Sequence, residues 1–387
     1  MRRRSVPTSA ILFLVVLSAG FVVTIAGFFG EGSEASASVS ADSNAGSLRG
    51  ALVEGETTSG IDERLERAHP LRAAAVSANS AMRFLLFREA VGEAVVGRDG
   101  WLFTLEEFER YDDDDLVLDE RLEEIVSVRD ELGERGIGLV VLLLPSKARL
   151  HPPVLPNRWR VLADHPRYDA AIATLRERGV HAVDLRETLA RRETLARRGA
   201  LTPDDAPALR DEPPFYARDT HWTPGGARLA ARALASALER DPDSARALAG
   251  VEAQRYEARV TGEDLVPGDL TSFVPLGEYL QAAFGLTDES AIRYEAVPAD
   301  DGGSSGLGLF DALSIPLALV GTSYSRDPRW GFEEAIRIET GLDVLNVAAV
   351  GEGPFAPMRE YLRGETIIDT RPELVIWEIP ERYLTLP

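Results

Sequence analysis

Apolar residues along this chain alternate between two spacings, and each spacing predicts one kind of secondary structure. Short unbroken apolar runs are typical of strands buried on both faces of a parallel sheet. One such run occupies 137–144, and shorter, mostly apolar runs occupy 180–185, 315–320, 343–347 and 374–379. Between them, apolar residues recur at the period of a helix, over 122–135, 168–178, 225–239, 332–340 and 358–362. This alternation predicts an α/β fold with a doubly wound parallel sheet.

Three segments ahead of the first long strand add to this picture. A helical period covers 61–91, and Asp99-Gly100 stands between two apolar runs, which predicts a β-hairpin. The acidic run 112–115 is interpreted as a solvated loop, because a calcium site requires further ligands at defined spacings that this segment lacks.

The N-terminus predicts where the protein works. Three arginines, Arg2 to Arg4, precede an uncharged apolar run over 10–30, which is about the 20 residues needed to cross a bilayer as a helix. Its length favours a signal-anchor within 1–30, which would associate the protein with the membrane. The small residues Ala35-Ser36-Ala37 support the alternative of a cleaved signal peptide. Residues 31–60 are interpreted as a flexible tether. Both alternatives place the domain 61–387 outside the cytoplasm.

Composition excludes several classes of function. The 387 residues carry a formal net charge of −21, which argues against a nucleic-acid partner because no basic surface would neutralise phosphates. The absence of cysteine excludes disulfides, thiolate zinc sites and thiol catalysis. We expect no cofactor and no metal, since Asp219 and His221 could bind one but no other histidine has a matching context.

The most informative chemistry lies in two short segments. Asp219 stands two residues before His221, and in extended backbone such residues point to the same side, so the carboxylate can orient the imidazole. Ser323 follows the apolar run 315–320, where a buried strand turns into a helix at the carboxyl edge of the sheet. An acid, a base and a serine are the set that serine hydrolases and acyltransferases use. Ser323 alone could equally be a helix cap, and Ser325 is a rival nucleophile or the better cap.

Several further residues are candidates for supporting roles. The Ser323 amide, at a predicted helix start, and Gly351 or Gly353 could donate to an oxyanion, although the glycines also fit an ordinary strand-to-helix turn. A buried Glu378 needs a partner, for which Arg382 is expected. Residues 243–310 hold clusters of Pro, Gly and Asp, among them 300–308. We interpret them as an insertion before the nucleophile that forms a lid or binds an acceptor.

Taken together, six segments in order resemble the alginate O-acetyltransferase family of the AlgJ and AlgX type, within the SGNH hydrolase-like superfamily. These segments are 97–103, 144–149, 219–222, 321–325, 351–354 and 377–384. The resemblance implies a flavodoxin-like SGNH domain in which Ser323 is the nucleophile, His221 the base and Asp219 its orienting partner. The family commonly has aspartate where Thr322 stands. Because the chain ends soon after the last predicted strand, we expect no separate carbohydrate-binding module, as in the AlgJ plan.

The function implied by the resemblance is acetyl transfer to a secreted or cell-surface polysaccharide, with a membrane-bound O-acyltransferase as acetyl supplier. The acceptor could be alginate-like or a neutral glycan; binding of a uronate polymer to this acidic chain would require arginines such as Arg149 and Arg382 in the groove. An extracytoplasmic carbohydrate acetylesterase would use the same residues. A third alternative is a non-catalytic polysaccharide-binding or export scaffold subunit.

Overall fold

The computed structural model describes residues 81–84, 87, 89–190, 212–276, 278–299 and 315–386. They belong to two units, a small one that includes the residues up to 87 with Pro275 and Leu276, and a large one formed by the rest. The predicted anchor 1–30 and tether 31–60, most of the predicted helix 61–91, and 300–314 lie outside the described residues. Within the described part of the chain, no helix is long and apolar enough to cross a membrane. The large unit contains the central sheet and the predicted catalytic segments.

The strands and helices of the large unit alternate along the chain as the apolar pattern predicts. The strands are β1 (Ala94–Val96), β2 (Leu102–Thr104), β3 (Gly138–Leu144), β4 (His181–Asp184), β5 (Tyr256–Val266), β6 (Glu289–Pro298), β7 (Leu317–Val320), β8 (Val344–Asn346) and β9 (Leu374–Pro380). The helices are α1 (Asp114–Glu134), α2 (Lys147–Leu150), α3 (Asn157–Ala163), α4 (Arg167–Glu177), α5 (Pro224–Arg240), α6 (Pro242–Ala247), α7 (Glu278–Ala283), α8 (Ser323–Arg326), α9 (Phe332–Thr340), α10 (Phe355–Arg363) and α11 (Thr366–Thr370). Short 3₁₀ turns include Leu105–Glu107, Asp269–Phe273, Pro328–Trp330 and Glu381–Leu384.

The central sheet has five parallel strands in the order β4-β3-β9-β7-β8. Side chains alternate between its faces. On one face Leu142 and Leu319 join a core with α5 and α9, and on the other Leu143 and Trp377 join a core with α1, α4 and α10. Because both faces are buried, the strands are mostly apolar in sequence, and the predicted doubly wound parallel sheet is confirmed.

The order of the strands is a circular permutation of the flavodoxin order. A flavodoxin-like sheet is ordered 2-1-3-4-5 from its first strand. Here the same order results when the count begins at β7 and continues through β8, β9, β3 and β4. The point where the order reverses, which is where ligands bind in such sheets, therefore lies between β7 and β9.

The hairpin β1–β2 is confirmed in its predicted place. The strands pair antiparallel, and both central turn residues have positive φ, 54° at Asp99 and 77° at Gly100. The Trp101 N–H donates to the Arg98 carbonyl at 3.0 Å. Two positive φ angles define the type I′ turn whose twist matches that of the strands, and Asp-Gly tolerates them best.

The acidic run 112–115 was only partly predicted. The helix α1 begins at Asp114 rather than near 122, and Asp113 precedes it as the N-cap. The prediction of a loop was therefore wrong for Asp114 and Asp115, which lie in the first helical turn. Carboxylates are favoured there because they face the positive end of the helix dipole.

The predicted insertion contains structure that the sequence pattern did not reveal. Strands β5 and β6 form an antiparallel pair whose residues are mostly exposed or half-buried on β5. The pair is bonded to the start of α9, since the Ala296 N–H donates to Glu334 at 2.7 Å and the Tyr294 hydroxyl donates to the Gly331 carbonyl at 3.0 Å. The long exposed pair has neither of the apolar periods that identify the central elements.

Candidate active site

The loop after β7 places Ser323 at the carboxyl edge of the sheet. Gly321 follows the strand directly, and a Cβ on it would come within 2.5 Å of a Glu378 carboxylate oxygen and 3.0 Å of the Ser325 hydroxyl. Only glycine permits this close approach. The chain then turns into α8, whose first residue is the half-buried Ser323.

Thr322, rather than either serine, is the cap of α8. Its hydroxyl accepts a hydrogen bond from the Tyr324 N–H at 3.3 Å. Ser325 is buried and donates its hydroxyl proton to Glu378 at 3.1 Å. The alternatives in which Ser323 or Ser325 caps the helix were therefore wrong, and the rival nucleophile Ser325 is bonded to Glu378 rather than to the imidazole of His221, which is bonded to Ser323.

Glu378 on β9 holds the loop that carries Ser323 through hydrogen bonds. Its carboxylate accepts hydrogen bonds from the Thr322 N–H at 2.8 Å and from the hydroxyls of Thr322 and Ser325 at 3.0 and 3.1 Å. Burial raises the pKa of Glu378, against the opposing effect of these bonds. Thr322 donates to this carboxylate, whereas an aspartate at the same position would bring a second carboxylate to a buried one. The expected pairing of Glu378 with Arg382 was wrong, because Arg382 is bonded elsewhere.

Asp219, His221 and Ser323 form one hydrogen-bonded chain. The Asp219 Oδ1 lies 2.6 Å from His221 Nδ1, and His221 Nε2 lies 2.7 Å from the Ser323 Oγ. With the Nδ1 proton directed at the carboxylate, Nε2 is free to accept the serine proton. The structure therefore brings together all three residues that the sequence predicted, from segments 102 residues apart.

Packing holds the imidazole in this orientation. The His221 ring stacks on Trp330 with a centroid distance of 5.0 Å and an interplanar angle of 23°, and it lies 4.7 Å from the Tyr324 ring. Trp222 is fully buried and donates to the Tyr324 carbonyl at 3.1 Å, so it is a packing residue. Thr223 then caps α5, which fixes the chain immediately after the histidine.

The carboxylate of Asp219 is held ionised in a buried position. Burial alone would raise its pKa, but the hydrogen bonds from His221 and from the Asp269 N–H outweigh that effect and lower it. The Asp219 Oδ2 accepts from the Asp269 N–H at 3.1 Å. Sequence reasoning missed Asp269, whose Oδ2 lies 3.9 Å from His221 Nδ1, because nothing in the pattern of the insertion distinguishes this aspartate from the others.

Lys147 is a second residue that sequence reasoning missed. It is the only lysine among the 42 lysine and arginine residues of the chain. This unusual composition was the one feature of the sequence that could have indicated a special role for Lys147. Its side chain is 1% exposed and donates to the carbonyls of Leu102, Ala217 and Asp219 at 2.5, 3.0 and 2.9 Å. Burial lowers the pKa of Lys147 to about 8. The ammonium group thus connects the hairpin to the segment that carries the triad acid.

The two arginines predicted to bind substrate lie in the interior. Arg149 pairs with Glu381 at 2.6 Å, and Arg382 pairs with Glu106 at 2.9 Å and donates to the Tyr324 hydroxyl at 3.2 Å. Their guanidinium groups are neutralised by the chain's own carboxylates and are not available to an acceptor. This pairing argues against the predicted substrate-binding role of Arg149 and Arg382.

The glycine loop after β8 runs beside the loop that carries Ser323. The Ala349 N–H donates to the Gly321 carbonyl at 3.1 Å, two residues before Gly351. Gly351 and Gly353 have φ angles of 81° and 65°, and both line a cleft of about 620 Å³. Their donation to an oxyanion remains a prediction.

A metal ion would find three ligand atoms in one place. Among the residues that the structure describes, Asp219, His221 and Asp269 form a cluster whose possible ligand atoms lie within 4.8 Å of one another. Both imidazole nitrogens are already bonded, one to Asp219 and the other to Ser323. We therefore assign this cluster to proton transfer rather than to metal binding.

Comparisons with known proteins agree with this geometry. Residues 94–381 match the family model of the SGNH hydrolase-like domain of the acetyltransferase AlgX. Relatives from Pseudomonas putida and Pseudomonas aeruginosa, each named a probable alginate O-acetylase AlgJ, are both 33% identical to this chain and align over 87% of it and 81% of their own length. The solved O-acetyltransferase domain of Pseudomonas putida AlgJ matches with a TM-score of 0.62 and 33% identity, over 76% of this chain and 93% of that one.

Proposed function

This chain belongs to the family of SGNH hydrolase-like AlgX acetyltransferases, and on that premise we propose that it transfers acetyl groups through Ser323 to hydroxyls of a polysaccharide outside the cytoplasm. The observation that carries the assignment of residues is the position of His221 between Asp219 and Ser323, at 2.6 and 2.7 Å. These are hydrogen-bond distances at which a base can take the serine proton without rearrangement.

The first half of the reaction forms an acetyl-serine. His221 Nε2 takes the Ser323 proton as the Oγ attacks the acetyl carbonyl, and the Asp219 carboxylate stabilises the imidazolium that results. The imidazolium then gives this proton to the leaving group as the bond between the acetyl carbon and the donor breaks. We assign stabilisation of the tetrahedral oxyanion to the Ser323 amide together with Gly351 or Gly353, because backbone amides near a helix start are suited to that charge.

The second half transfers the acetyl group to a sugar. A sugar hydroxyl attacks the acetyl carbon while His221 takes its proton, and the proton then returns to the Ser323 Oγ as that oxygen leaves. Water in place of the sugar would make the enzyme an acetylesterase with the same residues. Transfer therefore depends on positioning the sugar and excluding water. We assign this role to the insertion, and the contact of Asp269 with the triad acid supports the assignment.

The charge of the described surface bears on the acceptor. The names of the relatives point to alginate. However, the cleft that contains Gly351 and Gly353 is lined by the carboxylates of Glu93, Glu106, Glu109 and Glu352, while its arginines, Arg121 and Arg359, both pair with Glu124. None of the three triad residues lines this cleft. For an acceptor that passes along it, these carboxylates and the internal pairing of Arg149 and Arg382 favour a neutral glycan over a uronate polymer, and comparing acetylation of uronate with that of neutral oligosaccharides distinguishes the two.

The location and acetyl supply complete the proposal. The arginines before the apolar run 10–30 support anchoring to the outer face of the cytoplasmic membrane, and the family supports a membrane-bound O-acyltransferase as the acetyl supplier. Membrane fractionation of cells that express the protein, followed by protease treatment of intact spheroplasts, tests the location. Retention of the full-length protein by membranes and its digestion from outside are expected, whereas protection would refute an extracytoplasmic site.

The function is tested with the purified protein and an activated acetyl ester. We expect Ser323→Ala to lose acetate release and acetyl transfer, because the nucleophile is gone. The matched control Ser127→Ala, which removes an exposed hydroxyl on α1, should retain both. Acetylated oligosaccharide, identified by mass, establishes the transferase. Serine-dependent release of acetate without any acetylated sugar supports the esterase. Absence of turnover in the wild-type protein supports the non-catalytic scaffold alternative, and full activity of Ser323→Ala would refute the acetyl-Ser323 intermediate.

A further inference from the structure

The insertion contacts the segment before His221 through Gly285 and Glu289, which are bonded to Ala217 and Arg218, and through the turn from Gly268 to Leu270, which reaches the triad acid. The Asp269 N–H donates to the Asp219 Oδ2 at 3.1 Å, and the Asp269 Oδ1 accepts from the Thr220 N–H at 2.8 Å. The Leu270 N–H donates to the Arg218 carbonyl at 3.2 Å. Three hydrogen bonds therefore join this turn to the residues immediately before His221.

Glycine at position 268 is what permits this contact. Its φ is +79°, and a Cβ there would lie 2.5 Å from the Arg218 carbonyl oxygen and 2.8 Å from its carbon. Both are backbone atoms, which cannot move aside as a flexible side chain can. Positive φ and close backbone approach are the conditions that only glycine meets without strain. The local sequence is thus suited to placing Asp269 against the triad acid.

Asp269 also adds a second negative charge beside the imidazole. Its Oδ2 lies 3.9 Å from His221 Nδ1, and its side chain is 45% exposed, compared with 7% for Asp219. Asp219 therefore provides the strong, buried hydrogen bond, while Asp269 provides a weaker, partly hydrated attraction for the imidazolium. The Thr220 peptide between them is fixed on its other side, because its carbonyl accepts the Tyr324 hydroxyl at 2.7 Å.

We propose that Asp269 is a positioning residue of the transferase, which holds Asp219 and Thr220 in place and stabilises the protonated His221 during both halves of the reaction. The inference rests on the proposed triad chemistry, which the Ser323→Ala variant tests separately. Because acetate release from an activated ester needs only the first acyl transfer and water, the role of Asp269 can be measured without knowing the polysaccharide.

The test compares Asp269→Asn and Asp269→Ala with the control Asp288→Asn, which removes an exposed aspartate of the same insertion. Asparagine keeps an oxygen for the Thr220 N–H but removes the charge, whereas alanine removes both. We expect kcat to fall by about tenfold or less in Asp269→Asn and by roughly ten- to a hundredfold in Asp269→Ala. The KM of both Asp269 variants should stay at the wild-type value, as should kcat and KM of the control Asp288→Asn.

The pH profile separates this role from a merely structural one. A base must be unprotonated to work, and removing a negative charge makes the imidazolium less stable, so the acid limb of kcat/KM in Asp269→Asn should move about one unit to lower pH. The other ionisable groups around His221 are unchanged in the variant, namely Asp219, Asp327, Arg329, Tyr324 and Lys147. An unchanged acid limb in Asp269→Asn, with or without a lower kcat, would overturn the proposal. Should Asp269→Ala fail to fold, the asparagine variant alone decides.

Discussion

The buried ammonium group of Lys147 predicts an unusual dependence of stability on pH. Its pKa is lowered from 10.5 to about 8, because burial penalises the charge more than Glu107 and other carboxylates attract it. Between these two values the unfolded chain holds a proton that the folded chain has released. The free energy of unfolding should therefore rise with pH across this window, and Lys147→Met should abolish the rise.

The magnitude follows from the two pKa values and the three hydrogen bonds. The difference between 10.5 and about 8 is worth about 3 kcal/mol in full, of which about 2 kcal/mol is gained between about pH 7 and 9.5. At neutral pH the methionine variant loses three charge-assisted hydrogen bonds, which destabilises it by about 1.5–3 kcal/mol for each bond. It also no longer buries a charge, which stabilises it by about 3 kcal/mol. It should therefore be less stable by about 1–6 kcal/mol, and by about 2 kcal/mol more at the higher pH.

Urea unfolding of both proteins at the two pH values measures these differences, and subtracting one protein from the other cancels the remaining titratable groups. Because the chain contains a single lysine, lysine-selective isotope labelling gives one side-chain NMR signal whose titration reports the folded pKa directly, even if Lys147→Met does not fold. A signal that titrates near the ordinary value, or a stability difference between the proteins that does not change with pH, would refute the reasoning. Lys147→Arg should not restore stability, since a planar guanidinium cannot direct three donors as an ammonium does.

Other predictions follow from single contacts. Asp219→Asn should lower kcat by about a thousand- to ten-thousandfold, as judged by acetate release, because the imidazole loses the partner that fixes its tautomer; a near-normal rate would disprove that role. Gly226→Ala should destabilise the fold by about 1–3 kcal/mol in thermal unfolding, since a Cβ would come within 2.1 Å of the Pro214 carbonyl oxygen. Burial would raise the pKa of Glu381, but the bonds from Arg149 outweigh it and lower the pKa, so this pair should stabilise the protein at neutral pH and lose its effect as the pH falls through the folded pKa. Glu381→Gln should cost about 3–5 kcal/mol at neutral pH and weaken the acid dependence. EDTA should leave activity unchanged, and inhibition that zinc reverses would reassign the Asp219 cluster.

The sequence predicted the central sheet because burial on both faces leaves a simple signal. The strand β9, for example, is buried at every position from Leu374 to Pro380, and its residues are apolar except for Glu378. Among the helices, α9 has the predicted bounds, whereas α1 begins at Asp114 rather than near 122. Asp219, His221 and Ser323 could be found because the chemistry of a serine nucleophile demands these residue types at the ends of elements.

The sequence could not reveal contacts between residues that are distant in the chain. Arg149 and Arg382 are candidates for a binding groove by composition alone, but Glu381 and Glu106 bind them in the interior. Asp269 is one of many acidic residues until the fold brings it to Asp219, 50 positions earlier. Neither pairing has a periodic or local signature, since each is determined by how the insertion and the C-terminal 3₁₀ turn meet the sheet.

The permuted order of strands explains why the triad is read along the chain as acid, base and then nucleophile. All five strands are parallel, so every loop after a strand opens at the same edge, and the order in which the chain visits the strands does not alter what meets there. The permutation does alter when the site can form. The strand β9 lies at the centre of the sheet and is the last of the described strands in the chain, and its Glu378 holds the Ser323 loop through Thr322 and Ser325. The nucleophile therefore cannot reach its position until the final central strand has been inserted between β3 and β7, and such non-local pairing is expected to be slow.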